Sequence, residues 1–380
     1  MRGDKPSMWD PEKYVSVLTK WSTKRTLVVV NASGRSGIGD RGRWVAQAAG
    51  GGEVLFREGG RLRAIVHFIA GLLRTRPSVV YAIDSAAATV ATALVARALL
   101  RSRVIMETGE ATAALARSTG RFGRAGALVV ALVERLGYLV ADRLVVRGYG
   151  HRDILRETLG RESIVIPEGY DPAVAGPRDG TAFRQAWGAT DDTLVVGVRG
   201  SASWVGRLQW CYGRDVIEVV SRARRPDLLG VIAVKGDGLP HLERLAERLG
   251  VRDRVRFAEP LEGEDLWGQL GGVDVGLSTQ TNDTVGRSRT TTKLVQYLAA
   301  GKFILASRVG TAAAVLPEDM LVDYHGAWDE GYFDRLARRI DELPDRALVR
   351  KRGLEIGQRS AAFAYPSLMP KWAEVFGALS

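Results

Sequence analysis

Residues 287–310 read RSRTTTKLVQYLAAGKFILASRVG. Three threonines precede apolar residues at helical spacing, which end at Gly301, and the short apolar run after this glycine is typical of a buried strand. The N-terminus of a helix carries free N–H groups and partial positive charge, which suit a phosphate. Lys293 lies in the first turn, where a cation is unfavourable for the helix dipole, and this favours a phosphate contact over an ordinary solvated lysine. We therefore expect a diphosphate to bind at Thr290, Thr291, Thr292 and Lys293.

The alternation of short β-branched runs with Ala/Leu-rich helical runs extends along the whole chain. It is typical of parallel α/β folds, so we predict two doubly wound sheets in series, facing each other across a cleft. The predicted strands lie at 26–31, 53–57, 78–83, 103–107, 143–147 and 163–167, and then at 194–199, 229–235, 255–257, 273–278, 303–307 and 320–322. Pro and Gly residues are dense at 167–180, which indicates a linker. The predicted domains are residues 1–170 and 171–360, followed by a terminal helical segment at 361–380.

Composition excludes several classes of protein. The chain has 380 residues and a single cysteine, which excludes an internal disulfide and a cysteine-based zinc site, and its four histidines make a histidine-built metal site unfavourable. Residues 1–24 are polar and charged, unlike a signal peptide, and the longest apolar runs, 81–100 and 125–146, are interrupted by charges. We expect no membrane-spanning helix and a cytoplasmic location.

The net charge of +11 is unevenly distributed. Residues 1–172 hold 26 Lys and Arg against 16 Asp and Glu, whereas residues 173–380 hold 28 against 27. This asymmetry suggests an anionic partner for the first half, either a phosphate-bearing acceptor or an acidic membrane surface at the inner face, to which the protein would be peripheral. The alternative is that the arginines serve solubility alone. Nucleic acid is not expected as a partner, because no aromatic-studded basic strand accompanies the charge.

Five segments together resemble family-4 retaining glycosyltransferases, which have the GT-B fold. They are 166–171 (IPEGYD), 194–199 (LVVGVR), 231–238 (VIAVKGDG), 251–261 (VRDRVRFAEPL) and 295–310, in the order that the family shows. The resemblance implies a donor domain in the second half that binds a nucleotide sugar, without a catalytic metal, and a terminal helix that crosses back to the first domain. It implies diphosphate contacts at Arg199 and Gly200, a Gly-Asp-Gly turn at Gly236, and a base-binding segment that includes Arg256, Phe257 and Leu261.

The chain departs from this family at several positions. The family often carries two glutamates eight positions apart, where this chain has Ser288 and Gln296. Gln296 could still hold the ribose hydroxyls with neutral hydrogen bonds, whereas Ser288 cannot replace an acid near the sugar. A Lys-Gly pair common in the family is replaced by Tyr212-Gly213, so Arg207, Arg214 or Lys293 would have to share the diphosphate with Arg199.

The first domain offers a glycine-rich loop and a pair of acids. Residues 28–39 (VVVNASGRSGIG) read as a strand running into a loop, and we expect Gly37 and Gly39 to let the backbone approach the ligands. The glycine spacing does not match a dinucleotide fingerprint, and a plain turn is the alternative. Glu107 ends the predicted strand at 103–107 and Glu110 follows it. Both are candidates to orient acceptor hydroxyls or to act as a base, and the alternative is that one of them is a helix cap or a surface charge. Asp84 and Ser85, at the end of another predicted strand, are a similar but weaker pair.

These observations predict a retaining glycosyltransferase that moves a sugar from a nucleoside-diphosphate sugar to a hydroxyl of a small, lipid-linked or glycan acceptor. Arg199, Lys293, Glu107 and Glu110 are its candidate catalytic residues. No cofactor beyond the sugar nucleotide is expected. The alternatives are a non-catalytic relative that binds sugar nucleotides or glycans, and a nucleotide-sugar epimerase on the same fold; a Rossmann-type dehydrogenase is a distant third.

Overall fold

The computed structural model describes residues 25–206 and 210–379, which form two parallel six-stranded sheets covered by helices. Residues 1–24, in which no signal peptide is expected, and Arg207 lie outside the described residues. The predicted class, two doubly wound α/β units in series, is confirmed. Among the described residues, no helix combines the length and the apolar character needed to cross a bilayer.

The first sheet has the strand order β2-β1-β3-β4-β5-β6. Its strands are β1 (Thr26–Val30), β2 (Glu53–Phe56), β3 (Val79–Ile83), β4 (Arg103–Thr108), β5 (Arg143–Val146) and β6 (Ile164–Val165). Its helices are α1 (Gly37–Ala48), α2 (Arg61–Thr75), α3 (Ala87–Leu100), α4 (Thr112–Thr119), α5 (Gly123–Val140) and α6 (Tyr149–Leu159).

Strand β1 shows why both faces of the first sheet are covered. All of its residues are buried, and successive side chains point to opposite faces of a strand. Val28 and Val30 pack in the core that includes the terminal helix, whereas Leu27 and Val29 pack in the core that includes helices α2, α3 and α5. A buried apolar strand of this kind therefore requires a helical layer on each side.

The second sheet has the order β12-β11-β10-β7-β8-β9. Its strands are β7 (Leu194–Ser201), β8 (Leu228–Lys235), β9 (Val255–Ala258), β10 (Val275–Ser278), β11 (Phe303–Ser307) and β12 (Leu321–Val322). The helices that accompany it are α7 (Thr181–Trp187), α8 (Arg214–Arg222), α9 (Leu239–Arg248), α10 (Asp265–Gly271), α11 (Thr284–Ser288), α12 (Thr292–Ala299), α13 (Gly310–Val315), α14 (Gly331–Asp341) and α15 (Arg346–Gly357).

The terminal helix α16 (Tyr365–Gly377) lies against the first sheet. Trp372, Val375 and Phe376 are buried there, and the Trp372 Nε1–H donates to the Tyr81 hydroxyl at 3.2 Å. Two backbone hydrogen bonds between Tyr170 and residues 363 and 365 hold the start of this helix beside the linker. The chain thus ends on the domain with which it began.

Each sheet reverses its strand order once, between β1 and β3 in the first and between β7 and β10 in the second. Ligands of open parallel sheets bind in the crevice outside the carboxyl ends of the strands at such a reversal. Asp84, directly after β3, and Gly200, near the carboxyl end of β7, line one common cavity between the two sheets.

Candidate functional site

A cavity of about 460 Å³ lies between the two domains. The first domain contributes Asn31, Ile38, Asp84, Ser85, Ala86, Thr108, Gly109, Glu110, Thr112, Arg147 and Glu168, and the second contributes Arg199, Gly200, Ser201, Tyr212, Arg289, Thr290, Thr291, Thr292, Lys293 and Gln296. Eight of the predicted catalytic and donor-binding residues line this cavity, together with the weaker candidates Asp84 and Ser85. Glu110 lies on the first domain, and the second domain carries the other seven, Arg199, Gly200, Thr290, Thr291, Thr292, Lys293 and Gln296. Three cationic side chains of the second domain, Arg199, Arg289 and Lys293, face the first domain, which contributes Arg147 and three carboxylates.

Lys293 extends from the first turn of α12 into the lining of the cavity. It is buried, and its Nζ lies 3.0 Å from the centroid of the Tyr212 ring, a cation–π contact. Burial lowers the pKa of Lys293 from its usual 10.5, although Tyr212 and Asp215 oppose this shift. Its Nζ has no hydrogen-bond partner among the described residues. A buried ammonium without a partner is costly, and an anion in the cavity would remove that cost.

Arg199 follows the same pattern at the end of β7. Its Nη1–H donates to Gln296 Oε1 and its Nη2–H donates to the Leu261 carbonyl, both at 2.8 Å. Its Nε has no partner in the described part of the chain, and burial lowers the pKa of this guanidinium. Of the buried side-chain nitrogens left unpaired in residues 25–206 and 210–379, the two cationic ones thus belong to neighbouring residues of the cavity wall.

The N-terminus of α12 opens on the same space. Thr291 is the N-cap residue, and its side chain makes no capping hydrogen bond to the helix; it contacts the Ser278 hydroxyl at 3.2 Å instead. Thr290 Oγ1–H donates to the carbonyl of Arg147 in the other domain at 2.6 Å, so it joins the domains. Thr292 is exposed to the cavity. The turn therefore presents backbone N–H groups that no side chain of α12 satisfies.

On the opposite wall of the cavity, Arg147 forms ion pairs with three carboxylates. Its guanidinium bonds Glu107 at 2.8 Å, Asp84 at 3.0 Å and Glu168 at 3.4 Å. Asp84 has a φ of 71°, a left-handed conformation that is rare outside glycine and that concentrates at functional sites. Burial raises the pKa of Asp84, with Arg147 opposing the shift. The position after β3 is therefore a strained, cavity-facing carboxylate.

Glu107 does not reach the cavity. It is fully buried, bound by Arg41 Nε–H at 2.6 Å and by the Tyr81 hydroxyl at 2.6 Å in addition to Arg147. The two guanidinium groups outweigh the effect of burial and hold the pKa of Glu107 at about 2. A carboxylate held in this way positions Arg147 and has no free face for an acceptor hydroxyl.

Glu110 does line the cavity, where it pairs with Arg289 of the second domain at 2.5 Å. Next to this pair, the Ala111 N–H of the first domain donates to Ser288 Oγ of the second at 3.0 Å. Ser288, at one of the positions that are often acidic in the resembling family, is thus buried in the contact between the domains and does not line the cavity. Gly148 allows this contact, because a Cβ there would lie 2.3 Å from the Ser288 carbonyl oxygen.

Several residues predicted as donor contacts do not line the cavity. Gly37 and Gly39 lie at the start of α1, from which Ile38 reaches the cavity instead. The Arg256 guanidinium donates to the backbone of Trp187 and Asp253, and Phe257 packs beneath Arg252. Gly236 follows β8 with a φ of 145°, and Leu261 touches the site only through its carbonyl bond to Arg199.

Arg147, Glu168 and Arg289 line the cavity but are not among the site residues predicted from the sequence. Arg147 and Glu168 directly follow the carboxyl ends of β5 and β6 or lie close to them, which is a signal that was available. Arg289 lies within the quoted segment 287–310, but its partner Glu110 belongs to the other domain. No local sequence pattern predicts an ion pair between residues of different domains.

The chain is similar in sequence to proteins named as glycosyltransferases. The chain is 30% identical over 210 residues to a D-inositol 3-phosphate glycosyltransferase of Stackebrandtia nassauensis, covering 51% of this chain and 44% of that protein. It is 27% identical over 231 residues to a D-inositol 3-phosphate glycosyltransferase of Catenulispora acidiphila, covering 57% and 50%. The chain spans about half the length of the curated relatives that it matches. No protein-family model matches it.

Among solved structures, a sucrose-phosphate synthase of Thermosynechococcus elongatus is similar with a TM-score of 0.72 at 17% identity, covering 94% of this chain and 99% of that one. The HepE protein of Anabaena, solved with UDP and glucose, is similar with a TM-score of 0.66 at 18% identity, covering 100% and 98%. At these identities the likeness establishes the fold, and the predicted GT-B architecture is confirmed. The predicted resemblance to glycosyltransferases is confirmed as well, and family 4 is consistent with the named relatives.

Proposed function

We propose that this chain, a GT-B protein related in sequence to glycosyltransferases, transfers a sugar from a nucleoside-diphosphate sugar to an acceptor hydroxyl with retention of the anomeric configuration. One observation carries the proposal. Lys293 Nζ and Arg199 Nε are buried, cationic and unpaired at the wall of the interdomain cavity, within the part of the chain that the structure describes. A diphosphate is the ligand that would satisfy both.

The donor would lie against the second domain. Gln296 accepts a hydrogen bond from Arg199 at 2.8 Å through its Oε1, so its amide N–H groups would be left to donate to a ribose hydroxyl. Lys293 would take over the role of the lysine that the resembling family carries where this chain has Tyr212. The structurally similar HepE protein of Anabaena was solved in complex with UDP and with UDP-glucose, which supports a nucleotide-sugar donor.

The reaction would proceed at one face of the sugar. The bond between the anomeric carbon and the diphosphate oxygen breaks, the acceptor oxygen bonds to that carbon from the same side, and the leaving diphosphate takes the acceptor proton. Lys293, Arg199 and the N-terminus of α12 stabilise the negative charge that develops on the leaving group. These fixed positive groups supply the charge for which other transferases use a metal ion.

The acceptor would lie against the first domain. Asp84 and Glu168 face the cavity there and could hold acceptor hydroxyls as hydrogen-bond acceptors, with Arg147 fixing both carboxylates. Glu110 and Arg289 pair across the domain junction in the lining of the cavity, where they would limit access of water to the reacting groups.

The test is an incubation of the protein with a panel of nucleoside-diphosphate sugars and hydroxyl-bearing acceptors, with and without a chelator. We expect acceptor-dependent release of nucleoside diphosphate that survives chelation, and a product whose anomeric configuration by NMR equals that of the donor. Inversion of configuration would refute the retaining mechanism. Donor consumption to an epimer without any acceptor would assign the epimerase alternative instead.

The non-catalytic alternative is favoured by one observation, namely that Ser288 is buried at the domain junction and leaves the cavity without the acid common in the family. A binding measurement beside the transfer assay distinguishes this alternative. A calorimetric titration would show nucleotide binding, whereas the whole panel of donors and acceptors would remain unchanged.

A further inference from the structure

Helices α2, α3 and α5 form one layer on the face of the first sheet that lies opposite α1 and α16. Their inner sides carry the buried core residues, for example Phe68 and Tyr138. Ten of the fourteen large apolar side chains that are exposed in the described part of the chain lie on the outer side of this layer or at its edge. They are Leu62, Val66, Leu73, Leu94, Leu99, Phe122, Leu128, Val129, Leu132 and Leu139. We call these ten residues the apolar face.

The spacing of these residues shows that they form continuous stripes. Leu62, Val66 and Leu73 recur at helical intervals on α2, on the side opposite the buried Phe68, and Leu62 is 80% exposed. Leu128, Leu132 and Leu139 do the same on α5. Each helix thus has one apolar side that packs in the core and a second apolar side that is exposed. A surface helix of a globular protein requires only the first of these. Exposed apolar stripes on neighbouring helices indicate a surface that is covered by something else.

The charges around the apolar face are almost all positive. Residues 57–140 hold twelve arginines and five acids. Glu107 and Glu134 are buried, and Asp84 and Glu110 line the interdomain cavity, so Glu58 is the one acid of the five left for the outer surface. Asp142 pairs with Arg97 and Arg103, and Glu53 pairs with Arg74. Four exposed arginines on or beside α2 and α5 have no carboxylate partner in the described chain, namely Arg61, Arg121, Arg124 and Arg135. Apolar side chains ringed by arginine complement an anionic bilayer surface, which offers both acyl chains and negative headgroups.

A second cavity connects this layer with the interdomain site. It has a volume of about 240 Å³ and is lined mainly by apolar groups of α2, α3 and α5. Phe122 and Val129 of the apolar face form its outer wall beside Arg61, whose guanidinium lies 5.4 Å from the centroid of the Phe122 ring. At its inner end it shares Asn31, Ser85, Ala86 and Thr112 with the interdomain cavity.

We propose that the apolar face binds peripherally to an anionic lipid bilayer, and that the second cavity leads from the bound bilayer to the interdomain cavity. The first part stands on the distribution of apolar and basic side chains alone. The second part rests on the proposed transferase function, because it makes the acceptor an amphiphile drawn from the bilayer. A second copy of this chain would be a poorer occupant of the face, because it would bring the same excess of arginine to the contact.

The experiment is co-sedimentation of the protein with vesicles of phosphatidylcholine alone and of phosphatidylcholine with phosphatidylglycerol in equal parts. We expect binding at least about tenfold stronger to the anionic vesicles, and weakening as salt is added. The double variant Leu128→Glu/Leu132→Glu should lose this binding. The matched control Leu348→Glu/Leu354→Glu changes two leucines of α15 that are 51% and 52% exposed on the other domain, and it should bind as the parent does.

Absence of anionic-vesicle binding, or equal loss in both double variants, would overturn the proposal. A dimer of this chain would also overturn it. In that case the parent protein would sediment as a dimer in ultracentrifugation, the Leu128→Glu/Leu132→Glu variant would sediment as a monomer, and neither would bind vesicles. Circular dichroism and nucleotide binding of each variant show that it is folded. Because vesicle binding is measured without donor or acceptor, its failure is distinguishable from a failure of the transferase assay.

Discussion

Lys293 Nζ lies 3.0 Å from the centroid of the Tyr212 ring, in the wall of the interdomain cavity. The face of the ring attracts the ammonium by a cation–π interaction, but it does not provide a hydrogen-bond acceptor for the N–H groups. Lys293 is therefore held in position but left unsatisfied, as expected of a group whose partner is a ligand. A role of Lys293 in ligand binding can therefore be separated by mutation from a role in stability.

Replacement of Lys293 by Met should separate stability from binding. Since the buried ammonium has no hydrogen-bond partner in the described chain, we expect Lys293→Met to leave the free energy of unfolding unchanged or to raise it by about 1 kcal/mol. The affinity for UDP should fall by about tenfold to a hundredfold, because a charge-assisted hydrogen bond is lost. Chemical unfolding and calorimetric titration measure the two effects. The control is Lys351→Met, which removes an exposed lysine of α15 and should change neither the free energy of unfolding nor the affinity for UDP. A strongly destabilised Lys293→Met protein would instead show that Lys293 stabilises the fold.

The lowered pKa of Lys293 predicts a pH dependence of nucleotide binding. Above that pKa the free protein carries a neutral amine, whereas a bound diphosphate favours the ammonium, so binding takes up a proton and weakens as the pH rises. Calorimetry of UDP binding in buffers of different ionisation enthalpy measures the proton uptake directly. Lys293→Arg should bind with little pH dependence, because an arginine stays charged. Identical pH profiles for the parent and Lys293→Arg would exclude Lys293 as the titrating group.

Glu107 should behave as a structural carboxylate. Because Arg41, Arg147 and Tyr81 hold its pKa at about 2, it stabilises the fold at pH values above its usual 4.5, and this contribution disappears as the pH falls from about 4.5 towards 2. We expect Glu107→Gln to cost about 3 kcal/mol at neutral pH, measured by urea unfolding, and to flatten the acid limb of the stability profile. Glu53→Gln, which breaks the exposed pair with Arg74, should cost less than about 1 kcal/mol. A Glu107→Gln protein of full stability but without activity would return Glu107 to the candidate catalytic residues.

The ion pair between Glu110 and Arg289 should couple the two domains. Both side chains are partly exposed, so we expect a coupling energy of about 0.5–1 kcal/mol from a double-mutant cycle of Glu110→Gln and Arg289→Gln, with transfer rate as the readout. Small-angle scattering should show a larger radius of gyration for Glu110→Gln. The comparison variant is Glu318→Gln, which breaks the exposed pair with Arg308 inside the second domain and should leave both measurements as in the parent. Strictly additive effects at Glu110 and Arg289 would mean that the pair does not act as a unit.

The sequence predicted the two-sheet fold because its signals are local. The mainly apolar strands such as β1 and β11, and the glycine that ends α12, can be recognised without knowledge of the partner elements. The position of Lys293 in the first turn of a helix is equally local, and the structure places it on the cavity wall.

Other features of the site depend on contacts between distant segments. Glu107 and Glu110 are three residues apart, yet one is sealed between Arg41 and Arg147 while the other faces Arg289 of the second domain. Ser288 could be recognised as a replaced acid, but its hydrogen bond to Ala111 requires the domains to be brought together. Spacing along the chain does not contain this information.

The most direct test of the donor site is a crystal structure of the protein with UDP. We predict diphosphate oxygens within hydrogen-bond distance of Lys293 Nζ and of the first N–H groups of α12, with the Lys293 ammonium still beside Tyr212. A nucleotide bound outside the interdomain cavity, or one bound inside it with the diphosphate turned away from Lys293, would contradict the account.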